Sequence, residues 1–113
     1  MVEGPVIDRG DLTWINFNSQ AGHEQAGRRP AVVLSPAAYN QRVGLALFCP
    51  IASRVKGYPF EVPLPANSPV QGVVLADQIK SLDWKAREAK VVGRLPDATI
   101  GEMLGKLNVL LTP

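Results

Sequence analysis

The chain has 113 residues, of which 46% are hydrophobic, and a net charge of +2. This length suits one domain, which we expect to span residues 1–113. Its single cysteine, Cys49, excludes an internal disulfide, and with a single histidine the usual Cys/His zinc spacings are absent. We therefore expect no metal or cofactor. We expect a cytoplasmic protein, because no apolar stretch reaches the ~18–20 residues of a membrane span and no signal-peptide pattern opens the chain.

Basic residues are concentrated in one part of the chain. Residues 28–56 contain five basic residues and no acidic residue: Arg28, Arg29, Arg42, Arg54 and Lys56. The segment 80–94 is also basic on balance, whereas the first 27 residues are acidic. Such a chain can present a basic face to a polyanion, or its charges can scatter over a solvated surface after folding.

Six short segments are predicted to be strands. In Asp11–Phe17 apolar side chains fall on both faces of the strand, so we expect both faces to be partly covered. Pro63 must place its strand at an edge or a bulge, because proline has no N–H to donate. The predicted strands are 11–17, 30–35, 44–48, 60–64, 72–76 with a continuation through Ile79, and 89–93. Short strands separated by Gly, Pro and Asn indicate a compact barrel or sandwich. Cys49 ends an apolar run and is predicted to be a buried, inert thiol.

The last segment has helical periodicity. Apolar residues recur at helical spacing, at Ile100, Met103, Leu104, Leu107 and Leu111. Two starts are open: Pro96 in the first helical position followed by Asp97, or a capping box formed by Thr99 and Glu102.

Two polar loops follow or precede buried strands. Residues 18–29 form a long connection that carries an acid, an imidazole, an amide and two guanidinium groups, and residues 51–59 are polar and basic. Long loops in small domains are usually functional or disordered. Groups at the mouth of a strand are held in place, so both loops are candidates for a site.

Several motifs resemble one family. The runs GDLTWINFN, HEQAGRRPAVVLSPAAYN, KGYPFEVPL and GVVLADQIKSLDWKAR, in order from about Gly10 to the C-terminal helix, resemble the MazF (PemK/Kid-like) ribonuclease toxins. The resemblance implies a mainly β fold, an SH3-like twisted barrel with a C-terminal amphipathic helix, working as a homodimer. It implies sequence-selective, metal-independent cleavage of single-stranded mRNA to a 2′,3′-cyclic phosphate and a 5′-hydroxyl, with arrest of translation and growth. It also implies a MazE-like antitoxin with an acidic, flexible tail.

The same resemblance indicates the catalytic residues. Arg29 matches the motif arginine, and we assign it to stabilising the phosphate, because a guanidinium group stays protonated and is a poor base. Glu24 matches an acidic position and is a candidate base or orienting group. The family's catalytic threonine is replaced here by Ala52, so the neighbouring Ser53 is a candidate for its hydroxyl, provided that a bulge turns it to the same face. Otherwise Ser53 is a loop residue bonded to local backbone.

A wider set is predicted to bind RNA. Its members carry amide, basic or aromatic side chains suited to base edges, phosphates or stacking: Phe17, His23, Gln25, Arg28, Arg54, Lys56, Tyr58, Gln78 and Lys80. Core packing is an equal alternative for Phe17, and a catalytic role is an alternative for His23 because it titrates near neutrality. Trp14 and Trp84 are interpreted as packing residues.

Two other functions remain open. A CcdB-like gyrase poison has the same fold, although that relative depends on a C-terminal Trp-Gly-Ile end and this chain ends Leu-Leu-Thr-Pro. A catalytically weakened RNA-binding module is the other alternative, and Ala52 supports it.

Overall fold

Short antiparallel strands are followed by a C-terminal helix. The computed structural model describes residues 5–17 and 27–113. Its elements are β1 (Asp11–Asn16), β2 (Arg28–Val33), α1 (Ala37–Val43), β3 (Ala46–Ala52), β4 (Glu61–Pro63), β5 (Val73–Leu75), β6 (Lys80–Leu82), β7 (Lys90–Arg94) and α2 (Asp97–Leu111). The predicted mainly β fold with a C-terminal helix is confirmed. No helix within the described ranges has the length and apolar character needed to cross a bilayer.

Strand β3 joins two parts of the sheet. The strand order is β4-β5-β3-β2-β1-β7, and β6 also pairs with β3. Residues Ala46–Phe48 pair with β6, whereas Ile51 and Ala52 pair with β5. The edge of β3 that faces away from β2 therefore forms two ladders, one with β6 and one with β5, with Pro50 near the change of partner. Strand β4 lies at the end of this order, which confirms the edge position predicted from Pro63.

The strands bury both faces. Val32 and Cys49 pack in a cluster with Met103 of α2, whereas the alternate residues Val33 and Phe48 pack on the other face. This follows from the two-residue period of a strand. The two-sided covering predicted for β1 is found, since Leu12 belongs to the first cluster and Ile15 to the second.

Two predicted packing residues are buried. The Trp84 side chain is buried, and its indole N–H donates to the carbonyl of Asn40 at 3.1 Å. Cys49 is fully buried, and this burial, with a smaller contribution from the charge of Asp77, raises the pKa of its thiol to about 12. A thiol that keeps its proton is a poor nucleophile, so Cys49 is inert.

Helix α1 was not predicted. Pro36 precedes it, and Gly44 ends it with a φ of +83°. A proline at the start and a glycine at the end are typical of a helix. Its buried residue is polar: Asn40 accepts a hydrogen bond from the Ser35 hydroxyl at 2.5 Å and donates to the carbonyls of Ile7 and Ser35. Since the helix is anchored by an amide rather than by an apolar stripe, hydrophobic periodicity could not find it.

One predicted boundary was wrong, and of the two starts open for the last helix the one at Pro96 and Asp97 is found. The fifth strand does not continue through Ile79, because the chain turns after Leu75, where the N–H of Gln78 donates to its carbonyl, and β6 begins at Lys80. Helix α2 begins at Asp97 with Pro96 as the N-cap residue, so proline stands one position earlier than expected. Thr99 lies within the first turn, so the alternative start at a capping box of Thr99 and Glu102 is not the one found.

Candidate functional site

An open pocket lies where β2 begins and β3 ends. Its volume is about 650 Å³. Because the strands are antiparallel, with Ala31 opposite Pro50, continuing the register places Arg29 opposite Ala52. Arg29 pairs with Ile15 of β1 on its other side. The pocket is lined by Trp14, Arg28, Arg29, Pro30, Ile51, Ala52, Ser53, Arg54, Lys56, Val70 and Gln71.

The lining is strongly basic. Among the described residues that line the pocket, the charged side chains are Arg28, Arg29, Arg54 and Lys56, and none is acidic. All four are exposed, so they raise the positive potential of the cleft without a large desolvation cost. Of the two outcomes open for the basic segment, clustering is the one observed here, although Arg42 lies apart on α1.

Two neighbouring arginines of β2 differ in their contacts. The guanidinium of Arg28 donates to the carbonyl of Glu88 at 3.0 Å and to that of Trp14 at 3.4 Å, which ties the start of β2 to the turn before β7. Arg29 makes no side-chain hydrogen bond to any residue within 5–17 and 27–113. Its fork of N–H donors is therefore available for a phosphate in this part of the structure.

The end of β3 is pressed against another backbone. Gly72, with a φ of +130°, lies so close that a Cβ on it would be 2.1 Å from the carbonyl oxygen of Ala52 and 3.2 Å from the Cα of Ser53. Ala52 is half-buried and Ser53 is exposed, and both line the pocket. Gly72 therefore fixes the backbone that presents the Ser53 hydroxyl.

The loop after Ser53 is held by one carboxylate. Glu61 accepts hydrogen bonds from the backbone N–H groups of Lys56 and Gly57, each at 3.1 Å. Gly57 has a φ of +82°, which a glycine adopts without strain. These contacts position the Lys56 side chain at the pocket.

Four predicted RNA-binding residues do not line this pocket. The Tyr58 hydroxyl donates to Asp77 at 2.5 Å, and this hydrogen bond, more than the weaker effects of burial and the Asp77 charge, raises the pKa of Tyr58. Lys80 is exposed and pairs with Phe48 in the β6 ladder, and Gln78 is exposed on the preceding turn. Phe17 is half-buried against the Ile15 cluster, which favours the packing alternative.

Three further predicted residues, His23, Glu24 and Gln25, lie outside the described residues. The residues that flank this segment are fixed, however. The N–H of Phe17 donates to the carbonyl of Gly27 at 2.7 Å, and the Arg87 guanidinium donates to the carbonyls of Asn16 and Phe17 at 3.1 and 2.7 Å. These contacts hold Phe17 beside Gly27, the residue before Arg28.

Sequence reasoning missed the aromatic residue and the amide that line the pocket, Trp14 and Gln71. The interpretation of Trp14 as a packing residue was wrong, because 37% of this residue is exposed and its side chain lines the pocket. Its position next to Leu12 in the alternation of β1 gave no sign that the sheet would leave it uncovered. Gln71 lies in the Pro- and Gly-containing connection between β4 and β5, a pattern that indicated only a loop.

The described residues contain no cluster of metal-ligating side chains. No three or more His, Cys, Asp or Glu side chains of these residues lie close enough together to hold an ion. The chemistry that these residues offer is cationic and hydrogen-bonding.

Comparison with known proteins finds relatives over nearly the whole chain. Residues 8–111 match the family described as PemK-like, MazF-like toxin of type II toxin–antitoxin system. The chain is 47% identical to the endoribonuclease toxin MazF of Escherichia coli K12, over 98% of this chain and 99% of that protein. It is 57% identical to crystallised MazF from Deinococcus radiodurans, with a TM-score of 0.85 over 96% and 98% of the two chains. A MazE-MazF crystal structure from D. radiodurans gives 57% identity and a TM-score of 0.88 over 96% and 97%.

Proposed function

The chain belongs to the PemK-like, MazF-like toxin family of type II toxin–antitoxin systems, and from this premise we propose that it is an endoribonuclease that cuts single-stranded mRNA in the pocket between β2 and β3. The observation that carries this proposal is the meeting of Arg29, Ser53 and two further pocket cations, Arg54 and Lys56, in one open cleft. A cleft of this charge attracts a polyanion, and an open one admits a single strand.

The reaction needs no metal and no covalent intermediate. The 2′-hydroxyl of the substrate attacks the adjacent phosphorus, the bond from phosphorus to the 5′-oxygen breaks, and a 2′,3′-cyclic phosphate and a 5′-hydroxyl result. The enzyme must accept the 2′ proton, supply a proton to the leaving 5′-oxygen, and stabilise the charge that builds up on phosphorus. We assign the last task to Arg29, whose donors match the geometry of a phosphate.

The two proton transfers are assigned to hydroxyl and carboxylate groups. Ser53 is the described hydroxyl at the pocket, and Glu24 is the acidic residue of the motif that we expect to act as base or to orient the site. The pleat of a strand directs Ala52 and Ser53 to opposite faces, but β3 ends at Ala52. Ser53 is thus free of the ladder, and its hydroxyl can turn toward the phosphate.

Binding of RNA is divided between phosphate and base contacts. Arg54 and Lys56 are assigned to phosphates, and Arg28 is assigned to shaping the pocket as well as adding charge. The exposed Trp14 indole offers a surface on which an unpaired base can stack. The bound RNA strand would continue beyond the pocket along Tyr58, Gln78 and Lys80, together with His23 and Gln25.

Two partners are proposed, one at the pocket and one at α2. We propose an antitoxin of the MazE kind, whose acidic tail would cover the basic pocket and so compete with RNA. We also propose a homodimer, because α2 exposes apolar residues, with Val109 at 71% and Leu111 at 75%, that a second copy could bury. A cytoplasmic location is proposed because the mRNA substrate is there.

One observation supports a second candidate function. Alanine at position 52 leaves the site without the hydroxyl expected there, so the chain could bind RNA without cutting it. Incubation with a long RNA separates the candidates. Cleavage supports the nuclease, and retention without cleavage supports the binding module. If the RNA is neither cut nor retained, the gyrase poison is supported. Mapping the ends of the cleaved transcripts would then give the recognised sequence.

A further inference from the structure

The connection between β4 and β5 forms a fixed wall of the pocket. The N–H of Leu64 donates to the carbonyl of Gly72 at 3.0 Å, which closes the loop at its base. Pro69 packs on β7 so closely that a Cβ on Gly93 would be 3.0 Å from its Cγ. Together with the contact of Gly72 on Ala52, these interactions hold both ends of the wall, and Gln71 is presented from it into the pocket.

The amide of Gln71 has a defined orientation. Its Nε2 donates to the carbonyls of Ala66 at 3.2 Å and Ser68 at 3.1 Å. Both N–H donors of the amide are then used, since a glutamine amide has two. The amide cannot be flipped without facing its oxygen toward two carbonyl oxygens. No donor within the described residues reaches Oε1, which is left as a free acceptor on an exposed side chain.

This acceptor is unlike the other polar groups of the pocket. Arginine, lysine and indole side chains donate hydrogen bonds and accept none, and a serine hydroxyl does both. The described lining side chains that only donate are Trp14, Arg28, Arg29, Arg54 and Lys56. They suit phosphates and the carbonyl groups of bases, so a base that offers a donor needs either Oε1 of Gln71 or the hydroxyl of Ser53, to which we have assigned a proton transfer. In RNA, adenine, cytosine and guanine carry an exocyclic amino group. Uracil carries none, and its base donor is the ring N3–H.

We infer that Gln71 is a specificity-determining residue, whose Oε1 accepts a hydrogen bond from the exocyclic amino group of one base of the bound single strand. This inference rests on the proposed ribonuclease function. It adds a base-selective contact to a pocket whose charged side chains bind the phosphates of every sequence alike.

Nucleotide analogues test the contact. Each adenine, cytosine or guanine of a preferred RNA oligomer is replaced in turn by the analogue that lacks only its amino group, and kcat/KM is measured. For the wild-type protein we expect one position at which the analogue is cut roughly 3- to 10-fold more slowly, the value of one hydrogen bond. In Gln71→Ala that penalty should disappear, whereas Gln41→Ala, which removes an exposed glutamine of α1 outside the pocket, should keep it.

A second variant separates the acceptor from the shape of the loop. Gln71→Glu retains acceptor oxygens but loses both tethers to Ala66 and Ser68, and its charge should lower the rate on every RNA. If Oε1 reads the amino group, the analogue penalty persists in Gln71→Glu. A penalty that persists in Gln71→Ala, or that is lost in both variants, overturns the inference. If the wild-type protein cuts no RNA, the nuclease proposal fails instead, and the affinities of the same analogues still decide the role of Gln71.

Discussion

Gly72 and Ala52 are packed backbone to backbone, so that a Cβ on residue 72 would be 2.1 Å from the Ala52 carbonyl oxygen. Gly72 also has a φ of +130°, a conformation that residues with side chains rarely adopt. Gly72→Ala should therefore displace the end of β3, lower the free energy of unfolding by about 1–3 kcal/mol, and reduce RNA cleavage more than this loss of stability explains. Denaturant unfolding and kcat/KM at a temperature where the variant is folded would measure both effects.

A glycine of α2 provides the control. Gly101 is exposed, and a Cβ added to it would meet no atom of the described residues within 4 Å beyond its chain neighbours and its own helix backbone. Gly101→Ala should therefore stabilise the helix by about 0.5–1 kcal/mol. Cleavage should not change. Equal stability and activity for Gly72→Ala and the wild-type protein would show that the contact does not shape the site.

Removal of the Arg29 side chain should lower turnover. Arg29→Ala should reduce kcat by at least ~100-fold, comparable to the loss of one preorganised donor to a charged transition state. Stability should be nearly unchanged because Arg29 is exposed. Arg42→Ala, which removes an exposed arginine of α1, is the matched control and should behave like the wild type. A folded Arg29→Ala variant with normal turnover would mean that the phosphate is bound elsewhere.

The Ser53 hydroxyl can be tested by moving it. If it replaces the missing threonine hydroxyl, Ser53→Ala should depress single-turnover cleavage strongly and leave RNA affinity nearly intact. Adding Ala52→Thr to that variant should restore activity. If Ser53 has only a local structural role, Ser53→Ala should cut RNA at the normal rate, and Ala52→Thr alone should raise it. An unchanged rate in Ser53→Ala would leave Glu24 or His23 to transfer the proton.

Alkaline pH should destabilise the fold through Cys49. Burial raises the pKa of this thiol from 9.0 to about 12, so the unfolded chain releases its proton at lower pH than the folded protein does. The resulting stabilisation is complete below pH 9 and is lost as the pH rises toward 12, by up to about 1.4 kcal/mol per pH unit. Unfolding free energies of the wild type and Cys49→Ala, measured from pH 7 to 11, should converge. Parallel curves would contradict this account.

The sequence predicted features that depend on local periodicity or on a single special residue. The alternation of β1, the edge position of Pro63 and the burial of Cys49 follow from chemistry at those positions. Asn40 shows the opposite case, since its helix is held by hydrogen bonds to Ile7 and Ser35 that no spacing rule reveals. The end of β5 was missed for a similar reason, as a turn made of backbone hydrogen bonds interrupts an apolar run.

The candidate site was partly predictable. Arg29 and Ser53 were identified through motifs, and their proximity follows from the antiparallel register of β2 and β3. Trp14 and Gln71 could not be identified, because their positions depend on how the sheet curves and on where the connection between β4 and β5 packs. Such contacts join residues far apart in the chain, and local sequence does not record them.

Cleavage of a long single-stranded RNA after exhaustive treatment with EDTA tests the central claim most directly, with the wild-type protein, Arg29→Ala and Arg42→Ala compared side by side. We predict undiminished cutting by the wild type and Arg42→Ala, fragments with a 2′,3′-cyclic phosphate and a 5′-hydroxyl, and at least ~100-fold slower cutting by Arg29→Ala. Cleavage that stops in EDTA and returns with a divalent metal, or that proceeds equally in all three proteins, would contradict a metal-independent ribonuclease site at Arg29.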